Sequence, residues 1–185
     1  MKFRKSQNPN YNLLFNFIFG IIFFTNCTLA QRSNIEKSGD ILQVALPIAA
    51  LSSTLIWDDG QKGTLQFVKS MGTSVLITHS VKRIINKPRP NGGNFGFPSG
   101  HMSSAVTGAA FLQKRHGWKV GIPAYILAGY VGWTRVDSFK HDYWDVLGGA
   151  IVGIGSVYLF TKPYKMNMSF GKIDKIYNLN LTYQF

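Results

Sequence analysis

Apolar residues fall along this chain in long blocks rather than in short alternating runs. The blocks cover residues 41–57, 64 to about 86, 99 to about 115, 120 to about 135, and roughly 142–160. Each is closed by residues that stop a helix. Asp58-Asp59-Gly60 follows the first, Pro88 and Pro90 stop the second, and Gly117 divides the third from the fourth. Ser99 is a good N-cap for the third. Blocks of this length predict helices. Gly148, Gly149, Gly153 and Gly155 give the fifth a small-residue face that lets another helix come close. The pattern predicts an all-α fold, an antiparallel bundle of about five core helices.

The two ends of the chain differ from this core. Lys2, Arg4 and Lys5 precede an apolar run over residues 13–24, and Thr28-Leu29-Ala30 offers the small residues of a cleavage site. Residues 1–30 therefore read as a signal peptide, with an uncleaved anchor as the alternative. Cys27 is the sole cysteine, so cleavage after Ala30 leaves no thiol or disulfide chemistry. At the other end Tyr177, Leu179, Leu181, Tyr183 and Phe185 alternate with polar residues, a strand-like pattern. The expected organisation is a signal over 1–30, a helical domain over 31–165 and a short tail over 166–185.

Composition adds a location. Apolar residues make up 45% and charged residues 15%, against about 25% charged in soluble domains, and mean hydropathy is +0.02. Membrane embedding suits short loops and segments this poor in charge better than a soluble helical core does. The net charge of +12 suits an anionic partner such as a phosphate ester or anionic lipid. Nucleic acid is not expected, because no recognition motif appears. Neither a metal nor another cofactor is expected: no cluster of His, Asp and Glu with ligand spacing stands outside the motifs described next.

Those motifs are Lys82-x6-Arg89-Pro90, Pro98-Ser99-Gly100-His101 and Arg135-x5-His141-x3-Asp145. Alternating helix direction brings all three to one end of the bundle. The other end receives Lys114, Arg115, Lys119, Lys162 and Lys165, a positive-inside pattern if the motif end faces the periplasm. His141 and Asp145 lie four apart, so a carboxylate can fix the imidazole tautomer and leave one nitrogen free to attack phosphorus. Ser99 and Gly100 open a helix whose free N–H groups favour an oxyanion, and Gly100 lets the backbone approach it. His101 is placed to act as general acid. Lys82, Arg89 and Arg135 supply cations matched to a transferring phosphoryl group.

The order of these motifs is similar to the signature of the type 2 phosphatidic acid phosphatase superfamily, over about residues 40 to 165. That superfamily also holds class A acid phosphatases and vanadium haloperoxidases. Thr134 stands where the family has Ser and keeps the hydroxyl. The resemblance implies a metal-independent phosphatase in which His141 forms a phosphohistidine and Asp145 orients it. It implies that His101 protonates the leaving group and later activates water, while Lys82, Arg89, Ser99, Gly100 and Arg135 hold the phosphate. Membrane lipids carrying phosphate or pyrophosphate are the implied substrates, at the periplasmic side of a bacterial inner membrane. A soluble periplasmic acid phosphatase, a vanadium haloperoxidase and a non-catalytic membrane protein stay open as alternatives.

Overall fold

Five helices make the body of the protein in the computed structural model, which describes residues 34–56, 63–163, 166–173 and 176–183. They are α1 (Asn34–Ile56), α2 (Gly63–Ile85), α3 (Gly100–His116), α4 (Trp118–Asp137) and α5 (Tyr143–Phe160). The expected signal over 1–30 and the turn at Asp58-Asp59 lie outside the described residues. Four helices start and stop within about three residues of the sequence expectation, which is ordinary fraying. The first does not: it begins seven residues earlier than the apolar block. Residues 34–40 are mostly polar, so hydropathy alone gives no reason to include them.

α3 is the central helix. Twelve of its seventeen residues are buried, and it packs against α4, α5 and α2. α1 covers it as well: a Cβ at Gly108 of α3 would sit 2.6 Å from the Leu46 carbonyl carbon. The core is small-sided, built from Ala105, Ala109, Ala110, Ala124, Ala128, Val106, Val131 and Val157, with Phe67 edge-on to Phe111 at 5.1 Å. Glycines set the α3–α5 contact, as the sequence anticipates. A Cβ at Gly149 would stand 2.5 Å from the Ser99 carbonyl oxygen, and one at Gly153 would stand 2.8 Å from that of Ser103. Gly155 departs from the expected face, since nothing lies within 4 Å of its Cβ position.

The outside of the bundle is apolar. Ile41, Val44, Ile48, Leu76, Ile126, Ile151 and Leu159 are all exposed, and α1 and α5 are each long and apolar enough to cross a membrane. When lipid covers such a surface, burying more hydrocarbon brings helices together only weakly. Close packing and interhelical hydrogen bonds must do it, the latter at about 0.6–1.7 kcal/mol each. The bundle supplies both. Ser70, Ser74, Thr78 and Lys82 form one buried stripe along α2. Thr107 donates to Ser74 at 2.9 Å, Thr78 donates to Ser103 at 3.0 Å, and Ser70 pairs with Thr161 at 3.2 Å.

Beyond α5 the tail is a two-stranded antiparallel hairpin, β1 (Met166–Ile173) with β2 (Ile176–Tyr183). The sequence suggests a single strand there. The partner was available in Met166-Asn167-Met168-Ser169-Phe170, which alternates as well.

Candidate active site

The alternation of the helices brings the C-terminal end of α2, the start of α3, the end of α4 and the start of α5 to one end of the bundle. Between them lies a pocket of about 610 Å³. Lys82, Arg89, Gly100, His101, Arg135 and His141 all line it, so residues spread over 60 positions of sequence meet in one cavity. The 86–99 segment is folded to make this possible. It turns tightly at Arg89 to Gly93, with Arg89 N–H donating to the Gly93 carbonyl at 2.7 Å, and Gly92 takes a φ of 85° that an L side chain resists. Gly96 N–H then donates back to the Lys87 carbonyl at 2.6 Å. Lys82 Nζ reaches across to donate to the Phe95 carbonyl at 2.8 Å. Arg89 lines the pocket, and its Nε is buried without a hydrogen-bond partner among the described residues.

Asp142 caps α5 and forms a capping box with Asp145: each carboxylate accepts from the other residue's backbone N–H, at 3.0 and 3.1 Å. This fixes Asp145, which is fully buried, so that its Oδ2 lies 3.3 Å from His141 Nδ1. The other oxygen accepts from Lys87 Nζ at 2.8 Å, and Lys87 also donates to Asp142. Burial opposes the charge on Lys87, but the hydrogen bonds to Asp142 and Asp145 outweigh it and hold its pKa above the ordinary value. Burial is also the largest influence on His141, followed by the charges of Lys82 and Arg89. Together they overcome Asp145 and lower the imidazole from 6.5 to about 4. His141 is therefore neutral at ordinary pH, with Nδ1 turned to Asp145 and no hydrogen bond at Nε2 among the described residues. A neutral, oriented imidazole beside three cations is chemically suited to attack an electrophilic phosphorus.

Ser99 and Asp145 do not line the pocket. Ser99 is fully buried, its hydroxyl accepts from Met102 N–H at 3.4 Å, and its backbone N–H donates to the Asp145 carbonyl at 2.8 Å. It braces the start of α3 against α5, and the phosphate-holding role implied for its hydroxyl has no direct geometric counterpart here. Arg135 is 2% exposed and held on all sides: Nε donates to Thr134 Oγ1 at 3.2 Å, Nη2 to the Glu36 carbonyl at 2.6 Å and Nη1 to Asp40 at 2.8 Å. Thr134 thus uses the hydroxyl it shares with Ser to seat the arginine.

Several pocket residues escaped the sequence reading. Glu36, Asp40 and Gln43 come from the polar start of α1, His79 from α2 and Lys140 from the turn before His141. Lys87 lies inside the first motif, two residues before Arg89. Its basic character was the available signal, though nothing in the spacing says that it turns toward Asp145.

No family model matches the chain. Among curated proteins it is 32% identical over 134 residues to a lipid A 1-phosphatase of Helicobacter pylori (strain ATCC 700392 / 26695), covering 68% of this chain and 66% of that protein. It is 30% identical over 145 residues to a lipid A 4'-phosphatase of Helicobacter pylori (strain J99 / ATCC 700824), covering 71% of each. The chain thus spans about two thirds of the length of these relatives. Among solved structures, Aquifex aeolicus LpxE superposes with a TM-score of 0.60 at 19% identity, over 69% of this chain and 83% of that one. A transmembrane PAP2-type phosphatidylglycerolphosphate phosphatase from Bacillus subtilis gives 0.52 at 24% identity, over 82% and 93%. At these identities the two structures speak for the fold.

Proposed function

The chain belongs to the type 2 phosphatidic acid phosphatase superfamily, and on that footing we propose that it removes phosphate from a phosphorylated membrane lipid of the lipid A type. The observation that carries the proposal is the meeting of His141, His101, Lys82, Arg89 and Arg135 in one pocket. Two relatives named as lipid A phosphatases support the substrate class. The size of the pocket supports it too, because about 610 Å³ far exceeds one phosphate and its lining also holds Glu36, Gln43, His79 and Lys140 for a polar headgroup.

In the proposed reaction Lys82, Arg89, Arg135 and the amides at the start of α3 neutralise the phosphate oxygens. His141 Nε2 attacks phosphorus while Asp145, itself held by Lys87, steadies the ring from Nδ1. His101 gives a proton to the departing oxygen, and water then releases inorganic phosphate from the phosphohistidine. The pocket would face the periplasm of a bacterial envelope. Setting aside the cations that line the pocket, the site end keeps Lys37, Arg83 and Lys87 and the far end Lys114, Arg115, Lys119 and Lys162, a small bias that supports this orientation. A signal over residues 1–30 fits the same location.

A panel of phosphorylated lipids and water-soluble phosphate esters, given to purified protein in detergent, tests the substrate class. Phosphate release from lipid A 1- or 4'-phosphate well above that from small esters is expected. Release from small esters alone would overturn it. The pH profile tests the site. Because the His141 pKa is lowered, its neutral form is already dominant above about 4. kcat/KM, which reports the free enzyme, should therefore hold level as pH falls through 6.5 once the substrate's own phosphate titration is divided out, and decline only toward about 4. A half-loss centred near 6.5 would mean that an ordinary histidine governs the reaction.

A further inference from the structure

α1 lies outside the three phosphate motifs, yet its first turns reach the reacting groups. Asp40 Oδ1 accepts from His101 Nε2 at 2.9 Å and from Arg135 Nη1 at 2.8 Å. The placement is built into the backbone. The neighbouring residue is Gly39, and a Cβ there would stand 2.1 Å from Thr134 Oγ1 and 2.6 Å from Arg135 Nη2. Only a residue without a side chain lets α1 come this close to α4. Glu36, one turn earlier, adds its carbonyl to Arg135 and its carboxylate to Lys140 at 3.1 Å.

The other acidic groups near the pocket are otherwise engaged: Glu36 with Lys140, and Asp145 with Lys87 and His141. Among the described residues, Asp40 is the acidic side chain of the pocket bonded to both Arg135 and His101. A carboxylate facing a phosphate site repels the substrate, so its presence calls for a compensating role. Its contact with His101 supplies one. A carboxylate can only accept, so His101 Nε2 carries a proton and points at Asp40. Nδ1 makes no hydrogen bond among the described residues and is left for the substrate.

Resting on the phosphatase reading, we propose that Asp40 is the positioning residue of the general acid: it forms with His101 a second His–carboxylate pair, opposite His141–Asp145. In the first step the His141 Nε2–phosphorus bond forms as the phosphorus–oxygen bond to the lipid breaks. The phosphate monoester enters with one proton, which passes to His101 Nδ1 and from there to the leaving oxygen, so the lipid departs as a neutral hydroxyl. The Nε2 proton stays donated to Asp40 throughout. In the second step water attacks phosphorus, its proton passes to Nδ1, and inorganic phosphate and free His141 are regenerated.

The test compares two lipid-like substrates with the same chain, hexadecyl phosphate and 4-hexadecylphenyl phosphate. The alkoxide leaving group needs a proton and the phenoxide far less. In Asp40→Asn, kcat/KM on the alkyl ester should fall about 100-fold, within the usual range for general-acid catalysis. On the aryl ester it should fall only a few-fold. Asp40→Glu, which keeps the carboxylate, should restore much of the wild-type ratio. Each ratio is taken on one preparation and does not depend on how much of it is folded. An unchanged ratio in Asp40→Asn, including equal loss on both esters, would overturn the proposal and leave Asp40 as a brace for Arg135. Wild-type protein that hydrolyses neither ester would instead overturn the phosphatase reading itself.

Discussion

Replacing His141 with alanine is expected to abolish phosphate release while leaving the bundle folded. The reason is local. His141 has a carboxylate partner fixed from two sides, through the capping box with Asp142 and the contact with Lys87. Removing the ring takes away the nucleophile but leaves Asp145 bonded to Lys87 and to Asp142 N–H. No buried charge is orphaned, so the melting temperature should move by no more than a few degrees. Loss of a nucleophile lowers turnover by about 10³-fold or more, with the cradle alone providing whatever remains. Phosphate assay of wild-type and variant protein, matched by melting profile, reads both quantities. Turnover within tenfold of wild type would remove His141 from the reaction.

The second large effect is expected at a residue with no side chain, Gly149. Its Cβ position lies 2.5 Å from the Ser99 carbonyl oxygen, 3.0 Å from Met102 Cβ and 3.1 Å from Ser103 N. All three belong to the start of α3, the turn that carries Gly100 and His101. Gly149→Val would have to push α3 from α5, costing about 1–3 kcal/mol or more in overpacking. It would also part His101 from His141, and a displacement near 1 Å costs about 10²-fold in rate. Gly155→Val is the control on the same helix, since nothing lies within 4 Å of that Cβ position. Gly149→Val should lose both thermal stability and activity while Gly155→Val keeps both. Equal behaviour would mean that the α3–α5 contact does not set the site.

The parts of the protein legible in the sequence are those where one physical requirement acts alone. Long apolar blocks ended by Pro and Gly located four helices, because in this bundle the outward faces are as apolar as the inward ones. The motifs named Lys82, Arg89, Arg135, His101 and His141 of the pocket, and alternation of helix direction explained how they meet.

What escaped did so for several physical reasons. Residues 34–40 are helical although they are polar, since Glu36 and Asp40 face the pocket and Gly39 makes room for Arg135. A search for hydrophobic periodicity discards such a stretch because function has overwritten the pattern. Lys87 was hidden differently: its role depends on the fold of the 86–99 segment, which turns it toward Asp142 and Asp145. Ser99 shows another limit of the sequence: a helix start can cap itself or bind an anion, and the same hydroxyl serves either purpose. The hairpin partner Met166–Ile173 was passed over because its alternation is interrupted by Gly171.

The most direct measurement is capture of the covalent intermediate. Wild-type protein is mixed with substrate, quenched in alkali within a turnover and examined by mass spectrometry, since a phosphohistidine survives base and not acid. A phosphoryl group on His141, absent from His141→Ala and lost with water as phosphate is released, is the expected result. Steady turnover with no phosphoryl group on His141, or with one on another residue, would contradict the assignment of His141 as the nucleophile.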